Sequence, residues 1–340
     1  MRNSIRVLAA AALTATLAAC GNQAPAAGTL TVRNCDADVP FPAQAQRMFV
    51  NDGNLISMAL ALGAQDQVVA VSSVQRDADT LRRHYGTVVD DLKSVAPQYP
   101  TRETVLAQRP DVMVAGWNYG YDEAKNLTPA SLRQDGVAAY VLTESCRQPG
   151  EGARGIVEPW TALRTDLTNL GAITGRTDRA AELTADLDKR LAALKSAPQP
   201  QRRPDIFLFD SASDTIFSSG KFGAPQAILE AAGGRNILDD VDDTWTKVSW
   251  ERLAASDPDA IMFVDYPEQT FAQKVELLRG KPGINQLRAV TEGRFLNLPY
   301  ALWTSGPLNI DAAEQIRKQL ERWNLVPAST VTPKTDDATG

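Results

Sequence analysis

The stretch TDRAAELTADLDKRLAALKSA, residues 177–197, decides how this chain is organised. Ala180, Leu183, Leu187, Leu191 and Leu194 recur at helical spacing, giving one apolar stripe on a helix about 30 Å long. Thr177 or Asp178 is placed to cap its start, Glu182 complements the dipole there, and PQPQRRP stops it. Bounded in this way by turn residues, it reads as a rigid spine rather than a flexible linker. On either side of it the chain follows the same plan.

Before the spine, RMFV, VVAVS, VMVAG and AAYVL are short β-rich runs, separated by helical stretches at 54–62, 101–108 and 127–134. After it, DIFLFD, AIMFVD and RFLNLP are strands, with helices at 224–232, 250–255, 268–278 and 307–323. Arg109-Pro110-Asp111 and Asp257-Pro258-Asp259 mark the same event in each half: a helix stops before proline and the chain turns into a buried strand. Strand, helix and strand joined by short connections argue a mostly parallel sheet covered on both faces. The expected fold class is therefore α/β, two lobes with mostly parallel central sheets joined by a single long helix, a ligand cleft lying between them. The opening TLTVRNCDADVPFP adds a small hairpin.

The first nineteen residues carry Arg2, Arg6 and an apolar run too short for a comfortable membrane span, the pattern of a secretory signal. Cys20 directly after Leu17-Ala18-Ala19 looks like the bacterial lipoprotein processing box, with Cys20 lipidated; a plain signal with a chance cysteine is the alternative. The domain plan is then a signal at 1–19, a tether at 20–28, a first lobe at 29–176, the connecting helix at 177–197, a second lobe at 198–326 and a disordered tail at 327–340. An export signal and an acyl anchor place the protein outside the cytoplasmic membrane or in the periplasm.

Of three cysteines, Cys35 and Cys146 remain as an even pair in an oxidising setting. A bridge between them would close a loop of about 110 residues, with a chain-entropy contribution of about 4–5 kcal/mol before strain. The alternative is two unpaired small hydrophobes in a core.

Hydrophobic content of 44%, charged content of 22% and a net charge of −6 describe an ordinary globule, and no basic block invites nucleic acid. Enzyme chemistry has no motif behind it. His84 is the only histidine, which leaves metal-hydrolase spacing and a second imidazole absent, and it reads as a surface or cleft-rim residue. Phosphate loops, dinucleotide turns, calcium loops and a nucleophile elbow are missing as well. The expectation is no enzyme, no catalytic residue, no resident metal and no covalent cofactor.

Four stretches in order resemble the ABC-importer substrate-binding lipoproteins of the ferric-siderophore, cobalamin and haem class. They are FPAQAQRMFVNDGNLISMALALGAQDQVVAVS, RETVLAQRPDVMVAG, IFSSGKFGAPQAILEAAGGRNIL and VSWERLAASDPDAIMF. The resemblance covers nearly all of the chain after the signal. It implies a monomer that holds a metal-containing small molecule, foremost a ferric siderophore, between its lobes and delivers it to an ABC permease dimer with its ATPase. Cobalamin, haem or a related cofactor is the alternative ligand; a structural envelope lipoprotein or an esterase is the remote alternative. Glu103 and Glu230 match the family's pair of docking glutamates, one per lobe.

In open α/β folds ligands bind beyond the carboxyl ends of the strands. The candidates there are Asn51, Arg76, Trp117, Asn118, Tyr119 and Tyr121 in the first lobe, with Lys221, Trp245, Tyr266, Tyr300 and Trp303 in the second. The aromatics of GWNYGY directly follow a core strand, where Trp117 is expected to form a cleft wall opposed by Trp245 and Trp303.

Overall fold

A computed structural model of the chain describes residues 28–150, 152–266 and 269–339. The signal and Cys20 lie outside these residues. The first lobe begins with an antiparallel hairpin, β1 (Thr29–Asn34) and β2 (Ala37–Pro42). It continues through β3 (Met48–Asn51), α1 (Gly53–Ala61), β4 (Val68–Ser72), α2 (Ala78–Tyr85), β5 (Ser94–Ala96) and α3 (Arg102–Ala107). β6 (Val112–Trp117), the short β7 (Gly120–Tyr121), α4 (Pro129–Gln134) and β8 (Ala138–Val141) complete its sheet. The order β5-β4-β3-β6-β8 is parallel throughout. Its strands are buried runs such as VMVAG, as a sheet covered on both faces requires.

Two helices then run back to back, α5 (Pro159–Thr174) and α6 (Thr177–Ser196). The expected long helix is present, and Ala180, Leu187 and Leu194 bury its stripe. Its partner α5 was not foreseen. Gly175 in the left-handed conformation turns the corner between them, and a Cβ on Gly171 would fall 2.5 Å from Cβ of Ala180, so only glycine lets the helices approach this closely. Neither Thr177 nor Asp178 caps α6; its cap residue is Arg176, which makes no side-chain bond.

The second lobe contains β9 (Asp205–Phe209), β10 (Ser211–Ala212), β11 (Ile216–Ser219), α7 (Ala224–Ala231), β12 (Arg235–Asn236), β13 (Trp245–Val248) and α8 (Trp250–Ser256). β14 (Ala260–Asp265), α9 (Phe271–Gly280), α10 (Arg288–Thr291), β15 (Phe295–Pro299) and α11 (Asn309–Arg322) follow. Its main sheet is parallel in the order β12-β9-β14-β15, and β10-β11-β13 form a small antiparallel sheet that the sequence pattern did not announce.

The tail expected to be disordered from residue 327 is packed instead. Val331 joins the core, Lys334 pairs with Asp186 at 2.8 Å, and buried Asp337 is met by Arg83 and His84, each at 3.1 Å, and by Gln315 at 3.0 Å. Its polar composition hid this, because the tail is held by ion pairs and amide bonds more than by apolar burial. His84 is correspondingly not a rim residue: only 8% of its side chain is exposed beneath that segment.

Cys35 and Cys146 are bonded, with Cα atoms 5.5 Å apart. The bond lies beside Asn34, whose amide donates to Val141 O at 2.7 Å and accepts from Val141 N at 2.8 Å, fixing the hairpin to the edge of β8. Replacing both cysteines by alanine should lower unfolding stability by about 2–5 kcal/mol, measured by urea titration, while thiol titration of the unfolded, non-reduced wild-type domain from Thr29 should find no free thiol.

Asp166 of α5 is buried and takes bonds on Oδ1 from the Tyr140 hydroxyl at 2.7 Å, the Thr143 hydroxyl at 2.6 Å and Thr143 N at 3.0 Å. Burial outweighs those bonds and pushes its carboxyl up to about 7. Folded Asp166 therefore holds its proton more tightly than the unfolded chain does, a contribution complete below about pH 4 and lost as pH rises through 7. Asp166→Asn keeps an acceptor for all three donors. It should gain on the wild type as pH rises, by about 2–3 kcal/mol between pH 5 and pH 8, in urea titrations across that range.

Candidate functional site

The loops that leave the carboxyl ends of β4, β5 and β6 face those leaving β9, β14 and β15, and the space between them holds two neighbouring cavities. One, of about 680 Å³, is lined mainly by the first lobe: Ser73, Gln75, Arg76, Pro97, Gln98, Tyr99 and Lys125, with Tyr266. The other, of about 620 Å³, draws on both lobes, with Asn118, Tyr119 and Arg154 on one side and Asp210, Phe217, Asp243, Trp245, Lys247 and Tyr300 on the other. Tyr99 and Tyr266 line both and mark where they meet.

Arg76 stands at that junction. Its guanidinium pairs with Asp52, donates to the Tyr266 hydroxyl at 3.3 Å and lies 4.1 Å over the Tyr300 ring. Burial opposes its charge, but Asp52, Tyr300 and Asp77 more than offset this and hold it charged above its ordinary range. Asp52 caps α1 with φ of +77°, a conformation that a non-glycine residue adopts only when its surroundings impose it. Asp77, wholly buried, accepts from Ala301 N of the other lobe at 3.0 Å. Burial pushes its carboxyl up to about 7, against the pull of Arg76.

A second seam lies across the cleft. Buried Glu144 accepts from the Trp245 indole at 3.2 Å and from Ala224 N at 3.3 Å, both in the other lobe. Arg154 donates to Trp245 O at 2.8 Å, and its own backbone N–H reaches Asp243 at 3.0 Å. Burial raises Glu144 to about 7, with Arg154 opposing the shift. These bonds seat the Trp245 ring, which stacks on Phe217 at 5.9 Å and 29° to form the aromatic wall.

Of the residues anticipated from sequence, Arg76, Asn118, Tyr119, Trp245, Tyr266 and Tyr300 do come together around these cavities. Five do not. Trp117 follows Met113 and Ala115 onto the outer face of β6, where it lies against Tyr121 and under Arg147, 3.7 Å from its ring. Tyr121 is core, its hydroxyl donating to Met113 O at 2.9 Å and Tyr140 O at 3.1 Å. Trp303 is fully buried, its indole bonded to Phe263 O at 3.1 Å. Asn51 is a brace, holding Tyr119 O at 2.9 Å and accepting from Ser72 at 2.8 Å. Lys221 is paired with Asp242 away from the cavity linings.

Sequence reasoning missed Tyr99, Arg154 and Lys247, whereas Phe217 falls within the strand-end loop 211–221 that it singled out. Tyr99 follows a strand of three residues, too short to announce itself, whereas Phe217 and Lys247 sit in the unforeseen antiparallel sheet. Glu103, near the start of α3, and Glu230, late in α7, are both exposed.

A family model described as periplasmic binding protein matches residues 52–302. A cobalamin-binding protein of Halobacterium salinarum is 26% identical over 275 residues, covering 75% of this chain. The match spans 66% of that protein, just under two thirds of its length. The solved structure of an ABC-type Fe3+-hydroxamate transport system from Saccharomonospora viridis aligns with a TM-score of 0.69 at 23% identity, over 86% of this chain and 98% of that one. A periplasmic heme binding protein from Pseudomonas aeruginosa aligns with a TM-score of 0.62 at 26% identity, over 87% of this chain and all of that one, 100%.

Proposed function

The chain belongs to the periplasmic binding protein family, and from that premise we propose that it is the substrate-binding component of an ABC importer, capturing a metal complex and passing it to a permease. The observation that supports this most directly is the cleft itself: strand-end loops of two parallel sheets enclose neighbouring cavities large enough for a bulky organic ligand. Such a protein performs no bond chemistry. Its work is to bury the ligand between rings and donors and to present the closed lobes outward.

The ligand proposed first is a ferric siderophore whose chelate core carries little net charge, as in the hydroxamate type. Most cleft charges are already matched, Arg76 by Asp52 and Arg154 by Asp243. A polyanionic chelate would find few uncommitted cations, whereas oxygen ligands around a neutral core can accept from Arg76 and the hydroxyl groups at the junction. Cobalamin is the second reading, favoured by the stacked Trp245–Phe217 wall and by the cobalamin-binding relative. Haem fits less well. His84 is held by Asp337 away from the cavities, and burial together with Asp52 keeps the Tyr99 phenol from ionising to an iron ligand. Titrating the domain with a ferric trihydroxamate, cobalamin, haem and a ferric tris-catecholate, read by intrinsic fluorescence, should give tightest binding for the trihydroxamate. Tightest binding of the tris-catecholate would overturn the charge argument.

Cys20 is proposed as the lipid anchor, holding a monomer at the outer face of the membrane or in the periplasm. Glu103 and Glu230 are proposed to dock on the permease dimer, their exposed carboxylates pairing with cations of its two subunits. E103A combined with E230A should leave ligand titrations within about twofold of wild type yet cut uptake in reconstituted vesicles at least tenfold. Normal uptake by the double variant would remove the docking assignment.

A further inference from the structure

The two halves of the cleft differ in charge. Asp210 and Asp243 line the ring-walled half together with Arg154 and Lys247, whereas among the described residues no carboxylate lines the first-lobe chamber. What that chamber presents is donors. Arg76 faces it, paired with Asp52 and Asp77 outside its lining, and the rim residue Lys125 is loosely paired with Asp122 at 3.9 Å. Ser73 is the more telling residue. It is 2% exposed, it lines the chamber, and its hydroxyl has no hydrogen-bond partner. A buried hydroxyl without a partner is costly, and structures retain one where something else completes it. Ser73 also holds φ of +57°, fixed by its N–H donating to Ala96 O at 3.0 Å. A strained backbone therefore keeps an unsatisfied hydroxyl at the wall of a chamber whose charged lining groups, among the described residues, are Arg76 and Lys125.

We propose that the first-lobe chamber is an anion subsite: the transported complex carries an acidic arm, a carboxylate or phosphate, that lies among Ser73, Arg76 and Lys125 while its metal core rests against the Trp245–Phe217 wall. This rests on the metal-complex reading above and narrows it to an asymmetric ligand with a neutral core and an acidic extension. A volume of about 680 Å³ suits an arm of several atoms continuing from the second cavity better than a lone inorganic ion. Tyr99 and Tyr266, common to both cavities, would flank the connection.

Three ferrioxamines test it, sharing one iron-trihydroxamate core and ending in an ammonium, an acetamide or a succinyl carboxylate. The wild type should bind the carboxylate form about tenfold or more tighter than the ammonium form, and Lys125→Gln and Ser73→Ala should each shrink that ratio to about threefold or less. Lys125 is exposed, so its variant keeps the test open if Ser73→Ala fails to fold. Equal affinities for the three forms would overturn the subsite and leave the chelate reading standing. Should none of the three bind, inorganic pyrophosphate decides. Saturable shifts of the Ser73 and Arg76 amide resonances that Lys125→Gln abolishes would uphold the subsite and remove the hydroxamate reading, and no shift would overturn both.

Discussion

A parallel sheet sends every strand's carboxyl end to the same edge, and in this molecule the two edges so formed face one another. Everything at the site follows from how that seam is held. The first lobe reaches over with buried polar side chains, and the second answers largely with backbone: Asp77 takes Ala301 N, Glu144 takes Ala224 N, Asn54 gives to Ser305 O and Arg154 gives to Trp245 O. Backbone partners cannot rotate away, so these bonds fix register between lobes as ladder bonds fix it between strands. The cost is desolvation, visible in Asp77 and Glu144, whose burial drives them toward neutrality.

Such contacts also explain why the cleft can be both aromatic and polar. Rings of Tyr99, Phe217, Trp245, Tyr266 and Tyr300 give large area with few rotatable bonds, and several are oriented by groups behind them. Glu144 aims the Trp245 indole, Arg76 spans Tyr266 and Tyr300, and Asp52 sets Arg76. Those three rings are thereby held by the protein itself, which would lower the ordering cost of binding a ligand between them.

Much of the architecture was legible in the residues. Buried runs such as VMVAG and AIMFVD, each following Pro-Asp, located the strands, and their ends located the loops that carry the site. What a loop aromatic faces was less legible. Trp117 could have been assigned by strand parity, because Met113, Ala115 and Trp117 alternate with Val112, Val114 and Gly116. Trp303 and Tyr121 could not, since both satisfy their polar atoms on carbonyls supplied by other strands. Composition misled at the tail, where residues 327–339 look like solvated coil until Asp337 finds Arg83 and His84 of a distant helix.

That tail bears on how the lobes can move. Arg83 and His84 belong to α2 of the first lobe, Gln315 to α11 of the second, and all three meet Asp337. Thr339 then bonds Asn297 at 2.9 Å and Asp265 at 3.1 Å, the latter the residue before Tyr266 in the cleft. The tail thus joins α2 to the strand ends beside the ligand cavities, while Lys334 fastens it to α6 through Asp186. A hinge made of one helix could bend about its ends; a helix pair with a strap bonded across both lobes resists the same rotation. Opening wide enough to break the Asp337 contacts would strand a buried carboxylate, so small excursions at the mouth, where Lys125 and Asn118 are exposed, are the cheaper way to admit a ligand.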